Sequence, residues 1–298
     1  MKKRYLLISI AFLATTSCLM SQVVYEISDC IRTGLDRNFS LLISRNNESV
    51  ARNNYTLGNA GYLPSLDMTG RYSGTVNDTR RNLSDGTETS SDGDHNTTAT
   101  VGLSMGLTVF NGFNVQTTYK KLGELKQVGE LNTQLAVENL VAQIVSAYYN
   151  YIQQIELLNN LKYAVVLSKE RLRIDEDRYL LGSSSKMQVL QSRVYLNADS
   201  SRLSRQYEVV RAAQVRLNEL MAVDDMSQTF TTPDTAIIVN PGLLYESLFE
   251  QTLQNNTNLK IASSNKTISE YDKKIIISRS YPYLTASSGY NYSINNYS

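Results

Sequence analysis

The feature that most constrains this sequence is a proline-free interval between Pro64 and Pro233. Within it, apolar side chains in residues 111–181 recur three to seven positions apart, which predicts one long amphipathic helix. At 1.5 Å per residue such a helix is on the order of 100 Å long. This length exceeds that of ordinary globular helices and favours a coiled coil, although the apolar stripe is broader than a strict heptad seam.

A second helix follows directly. Gly182 is a natural helix stop, and Ser185 with Gln188 predicts a capping box that opens the next helix. The apolar pattern then continues to about Met221. The sequence therefore predicts an antiparallel helical hairpin over residues 112–222 with its tip at residues 180–186, and a chain that is mostly α by residue count.

Two segments ahead of the hairpin alternate between apolar and polar residues, which predicts a β-hairpin over residues 63–110. The segments are about as long as the 9–11 residues of a tilted transmembrane strand. A soluble hairpin with one buried face would alternate in the same way. Residues 77–98 are polar and predict a long loop. The apolar positions, predicted to face lipid, are Leu66, Met68, Tyr72, Val76, Val101, Leu103, Met105, Leu107 and Val109.

Composition excludes a polytopic helical membrane protein. Beyond the N-terminus, no apolar run approaches the roughly 20 residues that a spanning helix needs. A membrane location would thus require strands, and lipid does not tolerate open strand edges. Four strands from two hairpins are too few to close a barrel, so we expect several chains to contribute to one.

Residues 1–21 predict an export signal, with Lys2, Lys3 and Arg4 ahead of an apolar stretch. Cys18 leaves lipidation open as an alternative to cleavage after Ser21. Removal of this segment leaves 29 − 3 = 26 basic and 28 acidic side chains, a balance of −2. That balance gives no reason to expect a nucleic-acid partner.

The sequence also contains an internal repeat. Residues 31–72 realign without gaps onto residues 249–290 at an offset of 218. We therefore predict a first repeat at residues 22–246, with a connector at 223–246, and the start of a second at 247–298. By this symmetry the chain would be a fragment lacking roughly 166 residues, and its third strand would have no partner within the chain.

The sequence contains no candidate catalytic residues. His95 is the only histidine, so neither a Ser-His-Asp triad nor a histidine metal site can be built. Asp92-Gly93-Asp94 has calcium-loop spacing but lacks the downstream glutamate. We predict no enzyme activity, no cofactor and no metal.

The order of elements and several short motifs resemble the TolC-like outer-membrane efflux family. Residues 62–66 read Tyr-Leu-Pro-Ser-Leu at the entry to the first strand, and Phe110-Asn111-Gly112 follows the second. Ala147-Tyr148-Tyr149 lies in the long helix, and Arg178 to Ser185 form an Arg-Tyr-x-x-Gly-x-x-Ser tip followed by Val-Leu-Gln. One departure is Met221-Ala222-Val223, where the family commonly has Leu-Gly.

This resemblance implies a mixed α/β membrane protein, a homotrimer with a twelve-stranded barrel in outer-membrane lipid and a coiled-coil tunnel in the periplasm. It implies a passive exit duct of a tripartite efflux or type I secretion system, serving an inner-membrane transporter through a periplasmic adaptor. A non-conducting periplasmic scaffold or surface adhesin is the alternative. The residues implied to face the adaptor are Arg178, Gly182, Ser185, Val189 and Arg193.

Overall fold

The computed structural model describes residues 23–234, 242 and 244–297. They form two compact units, which we call the helical unit (within residues 23–45 and 133–254) and the sheet unit (within 46–132 and 255–297). The predicted export signal, Cys18 included, lies outside the described residues, as does part of the predicted connector. The predicted domain division therefore stays a prediction.

The elements follow one another in a simple order. They are β1 (Val23–Val24), α1 (Ile27–Arg37), α2 (Phe39–Asn54), α3 (Leu57–Ala60), β2 (Ser65–Asn82), β3 (Glu88–Asn111), α4 (Asn114–Leu180), α5 (Lys186–Met221), β4 (Phe230–Thr231), α6 (Tyr245–Asn255), α7 (Thr257–Ser278) and β5 (Tyr283–Tyr297).

The two long helices have nearly the predicted extents. Helix α4 is continuous over 67 residues and α5 over 36 residues. The predicted start of α4, at residue 111 or 112, was two to three residues too early, because Gly112 and Phe113 both have positive φ angles, +65° and +66°. Two successive left-handed residues form a turn that a right-handed helix cannot include, so α4 begins at Asn114.

The core of the helical unit forms where α1, α4 and α5 pack together. Cys30, Ile144, Tyr148 and Leu217 are completely buried there. The Tyr148 hydroxyl donates a 2.7 Å hydrogen bond to Asp234 Oδ2, so its polar end is satisfied inside the core. The Ala-Tyr-Tyr motif of the long helix therefore serves packing in this chain.

The chain beyond α5 is tied back onto that helix. Asn218 Nδ2 donates to the carbonyl oxygens of Met226 and Gln228, both at 2.9 Å. Strand β4 then pairs in parallel with β1, where Phe230 is buried. The Phe230 ring lies 4.8 Å from that of Tyr151, measured between centroids. These contacts hold the first part of the connector against the helical core.

Helix α5 ends at a residue that is poorly suited to its backbone conformation. Ala222 has φ +50° and ψ +50°, and the amide of Val223 donates to the Asn218 carbonyl, as in a Schellman motif. Because the left-handed region costs a non-glycine residue roughly 1–2 kcal/mol, we predict that Ala222→Gly stabilises the helical unit by about 1 kcal/mol. Urea unfolding followed by circular dichroism measures this, and an unchanged or lower midpoint would contradict it.

The sheet unit contains one antiparallel sheet with the strand order β2-β3-β5. Leu103, on the central strand, lies opposite Met68 on β2 and Tyr290 on β5. The expectation that the third strand has no partner in the chain was therefore wrong. Strand β3 has two edges, and β5 hydrogen-bonds along the edge that β2 leaves open.

The predicted polar loop at 77–98 was also wrong in extent. Strand β2 continues to Asn82 and β3 starts at Glu88, so only residues 83–87 form the turn. Gly86 has φ +85°, and the Leu83 amide donates to the Thr87 carbonyl at 3.0 Å. Backbone pairing requires no apolar face, and polar side chains on both sides suit a two-stranded ribbon in water.

The two helices that the predicted offset of 218 residues relates, α2 and α7, have similar N-caps. Asn38 Oδ1 accepts from the Leu41 amide at 3.2 Å, and Asn256 Oδ1 accepts from the Leu259 amide at 3.1 Å. Helices α2 and α7 begin directly after these residues. The matching caps agree with the alignment at an offset of 218, and the duplication itself stays a prediction.

Candidate functional site

One face of the sheet presents apolar side chains that are exposed in this chain. We call it the apolar sheet face. Eight of the nine residues predicted to face lipid are 46–78% exposed, and Leu107 is half-buried. The register places residues of neighbouring strands side by side on this face, such as Leu66 beside Met105. The alternation in the sequence therefore located an apolar surface that the described part of the chain leaves exposed.

The sequence reasoning missed part of this face. A register shift between Thr108 and Phe110 makes Val109 a β-bulge residue, and Phe110 consequently pairs with Leu284. Strand β5 adds the exposed side chains Leu284, Tyr290, Tyr292 and Ile294. The alternation of apolar and polar residues in 283–294 is a signal that could have identified them.

The opposite face is polar and carries small residues. A Cβ added at Gly102 would collide with the Asn291 amide oxygen and would lie 2.8 Å from the Thr69 hydroxyl. Ser104 lies opposite Asp67, and Thr100 lies opposite Arg71. The sheet is therefore amphipathic, with one face suited to an apolar medium and the other to water.

The height of the apolar sheet face is close to that of a membrane. It extends over residues 66–76, 101–110 and 284–294 of the three strands. Strands of about ten residues at a tilt of about 40° cover roughly 25 Å, the height of the apolar band on transmembrane strands. The two-stranded ribbon formed by residues 77–82 and 88–94 lies beyond this band and has polar side chains.

A second candidate surface is the tip of the α4–α5 hairpin, in the helical unit. Gly182 has φ +74°, and the amide and hydroxyl of Ser183 both donate to the Arg178 carbonyl, at 2.9 and 3.0 Å. Ser185 Oγ accepts from the Gln188 amide at 3.3 Å, which is one half of the predicted capping box. The tip is thus a tight turn held by its own hydrogen bonds.

The predicted tip residues have different roles within the hairpin. Arg193 forms a 2.9 Å ion pair with Glu176 across the two helices. Val189 is only 8% exposed and packs inside the hairpin. The most exposed apolar side chains of the tip were not among the predicted residues: Leu180, Leu181 and Met187 are 81%, 82% and 76% exposed. Two leucines directly ahead of a turn glycine were the available signal.

Two buried side chains with ionisable groups, Cys30 and Tyr148, are engaged in packing. Burial, with the nearby charge of Asp29, raises the pKa of the Cys30 thiol to about 12, so it stays protonated and unreactive. Burial and the Asp234 hydrogen bond also raise the pKa of Tyr148. The described residues contain no cluster of three potential metal ligands. No helix among them is long and apolar enough to cross a membrane.

Residues 30–223 match the sequence profile of the outer membrane efflux protein family. The chain belongs to this family. It is 28% identical over 184 residues to outer membrane protein TolC of Vibrio cholerae, an alignment that includes 61% of this chain and 40% of that relative. The aligned part of the chain thus spans less than half the length of that relative. Family membership places it in the bacterial outer membrane, with its helical part in the periplasm.

Solved structures share the fold at low sequence identity. The outer membrane protein VceC of Vibrio cholerae superimposes with a TM-score of 0.70 at 15% identity, covering 91% of this chain and 66% of that one. The CmeC outer membrane channel of Campylobacter jejuni gives a TM-score of 0.69 at 15% identity, covering 91% and 61%. These similarities establish a TolC-like mixed α/β fold.

Proposed function

We propose that the chain is part of a passive exit duct across the outer membrane, within a tripartite efflux or type I secretion system. An inner-membrane transporter would supply the energy, and the cargo would be small molecules or proteins. The apolar sheet face carries this proposal, because its side chains are exposed on one side of a sheet whose other side is polar.

Lipid is the environment that suits the apolar sheet face best. Soluble monomers rarely expose contiguous apolar patches of more than a few hundred Å². Three neighbouring strands here present large apolar side chains along about ten residues each. The small polar residues of the opposite face would line a water-filled interior. A scaffold confined to the periplasm would leave this apolar face in contact with water, so we favour the duct.

The outer edges of the sheet support assembly from several copies. In the described chain, β2 and β5 are each paired on one side only. Strand edges in lipid must be paired, so the missing partners would come from the fourth strand that the repeat predicts and from neighbouring copies. We propose a homotrimer, as the family resemblance implies.

The hairpin tip is the surface that we propose for the periplasmic adaptor. Leu180, Leu181 and Met187 are exposed beside a turn with a fixed conformation, which is a suitable apolar anchor for a protein partner. Of the residues predicted to face the adaptor, Arg178, Gly182 and Ser185 form the turn. Val189 is buried in the hairpin, and Arg193 pairs with Glu176 on its surface.

Photocrosslinking in the producing bacterium tests the duct and its docking surface. We would introduce a photoreactive phenylalanine derivative at Leu181 in the turn, and at Leu167 in the preceding helix α4 as a control of similar exposure. The control lies 14 residues from the tip, or about 20 Å along the helix. We expect the Leu181 derivative to capture a periplasmic adaptor, identified by mass spectrometry, and the Leu167 derivative not to capture it.

Two results would contradict this assignment. Capture of the adaptor with equal yield at Leu167 would show that the tip is not the docking surface. Recovery of the exported protein in the soluble periplasmic fraction, without adaptor capture at either residue, would contradict the duct and favour the scaffold.

A further inference from the structure

The distal half of the α4–α5 hairpin has few buried side chains, and most of them are polar. Between Leu158 and Gln206, a stretch that the structure describes completely, five residues are buried: Leu158, Asp175, Val189, Ser192 and Gln206. Coiled-coil register normally depends on apolar knobs that fit into holes of the facing helix. The half-buried apolar side chains include Val165 with Leu172 and Leu196 with Leu203, each pair seven residues apart. Apolar packing therefore gives little preference between registers that differ by one heptad.

Two Ser–Asp hydrogen bonds cross the helix interface in this stretch. Ser168 Oγ of α4 donates to Asp199 Oδ2 of α5, and Ser192 Oγ of α5 donates to Asp175 Oδ2 of α4. The two pairs are reciprocal, since each helix contributes one serine and one aspartate. They lie seven residues apart along both helices, which is one heptad.

We propose that these reciprocal Ser–Asp pairs set the axial register of the hairpin and thereby decide which residues form its tip. Ser168, Asp175, Ser192 and Asp199 act as positioning residues. The inference concerns the hairpin itself and does not depend on the proposed function. Each neighbouring register would pair these four residues differently.

The main competing arrangement is a shift of one helix along the other by seven residues, because a heptad shift keeps the same face of each helix at the interface. A slip in one direction would bring Asp175 opposite Asp199, placing two carboxylates together in the interface. A slip in the other direction would bring Asp199 opposite Leu161 and Ser168 opposite Ser192. The first creates like-charge repulsion, and the second leaves a carboxylate against an apolar side chain.

The register also determines where the turn falls. Both pairs are centred between Ser183 and Ser184, inside the observed turn. A slip by one heptad would move this centre to Met187 or to Leu180, and either residue would leave its exposed helical position. The Ser–Asp pairs, Gly182 and the Ser185 cap therefore all place the turn between Leu180 and Lys186.

Ser192→Asp is the decisive substitution. In the native register the new carboxylate would face Asp175, but in a register slipped by seven residues it would face Ser168. We would measure register in the full chain by disulfide formation between introduced cysteines. The pair Glu176→Cys with Arg193→Cys reports the native register, because these residues form an ion pair across the interface. The pair Glu176→Cys with Lys186→Cys reports the slipped one.

We expect Ser192→Asp to lose most of the native disulfide and to gain the slipped one. The double variant Ser192→Asp with Asp175→Ser has a Ser–Asp pair again, with the two residues exchanged. We expect it to recover the native disulfide and the melting temperature of the unsubstituted chain. Retention of the native disulfide by Ser192→Asp would overturn the proposal. If that variant does not fold, the exchange variant still decides, because its failure to recover the native disulfide also overturns the proposal.

Discussion

Leu103→Arg is expected to prevent stable insertion of the chain into the outer membrane. Leu103 lies on the central strand, with Met68 and Tyr290 beside it on the apolar sheet face. An arginine facing lipid near the bilayer midplane costs about 2–4 kcal/mol, because the guanidinium loses its hydration. The measurement is the fraction of exported protein that sediments with outer membranes and resists extraction by urea.

The neighbouring residue provides a matched control. Ser104 lies next to Leu103 on the same strand but on the opposite, polar face, where it pairs with Asp67. Ser104→Arg adds the same side chain, and we expect it to leave membrane recovery nearly unchanged. Equal losses from the two substitutions would indicate a general folding defect. Equal recovery of both would show that the apolar sheet face is not in lipid.

Gly112→Ala is expected to destabilise the sheet unit by about 3 kcal/mol. Part of this is the roughly 1–2 kcal/mol that a left-handed conformation costs a residue with a side chain, since Gly112 has φ +65°. The remainder is steric, because a Cβ would lie 2.5 Å from the Ser278 carbonyl oxygen and 2.8 Å from Tyr281 Cβ. Urea unfolding followed by tyrosine fluorescence, with limited proteolysis to locate the damage, measures this loss.

Gly182→Ala separates these two contributions. Gly182 is also left-handed, at φ +74°, but nothing lies within 4 Å of its added Cβ. We expect a loss of about 1 kcal/mol from backbone strain alone. A cost at Gly112 no greater than that at Gly182 would contradict the close approach of the α7–β5 turn.

The helical hairpin was the most predictable part of the fold. Its helices, its turn at Gly182 and its cap at Ser185 lie within a few residues of their predicted positions. Each of these signals is local: apolar periodicity, a glycine in the left-handed region, and a serine that accepts from the third amide of a helix. Local signals act through neighbouring residues, so one sequence is enough to identify them.

The strands were predicted in kind but not in extent or partners. The residues of β2 beyond Val76 have no apolar alternation, yet they continue the ladder to Asn82. The pairing of β3 with β5 joins residues that are between 172 and 201 positions apart. Neither outcome follows from periodicity, because backbone hydrogen bonds along a strand edge form between any side chains that fit.

The sequence by itself determined the amphipathic sheet, the long antiparallel helices and the place of the turn, since each follows from side-chain spacing along one segment. Only the tertiary structure decided that β5 completes the apolar sheet face and that Val189 lies inside the hairpin while Leu180 and Leu181 are exposed. The same holds for Ser168 with Asp199 and Asp175 with Ser192. Those outcomes depend on how two distant segments align, and the alignment is set by pairwise packing and hydrogen bonding that neither segment encodes alone.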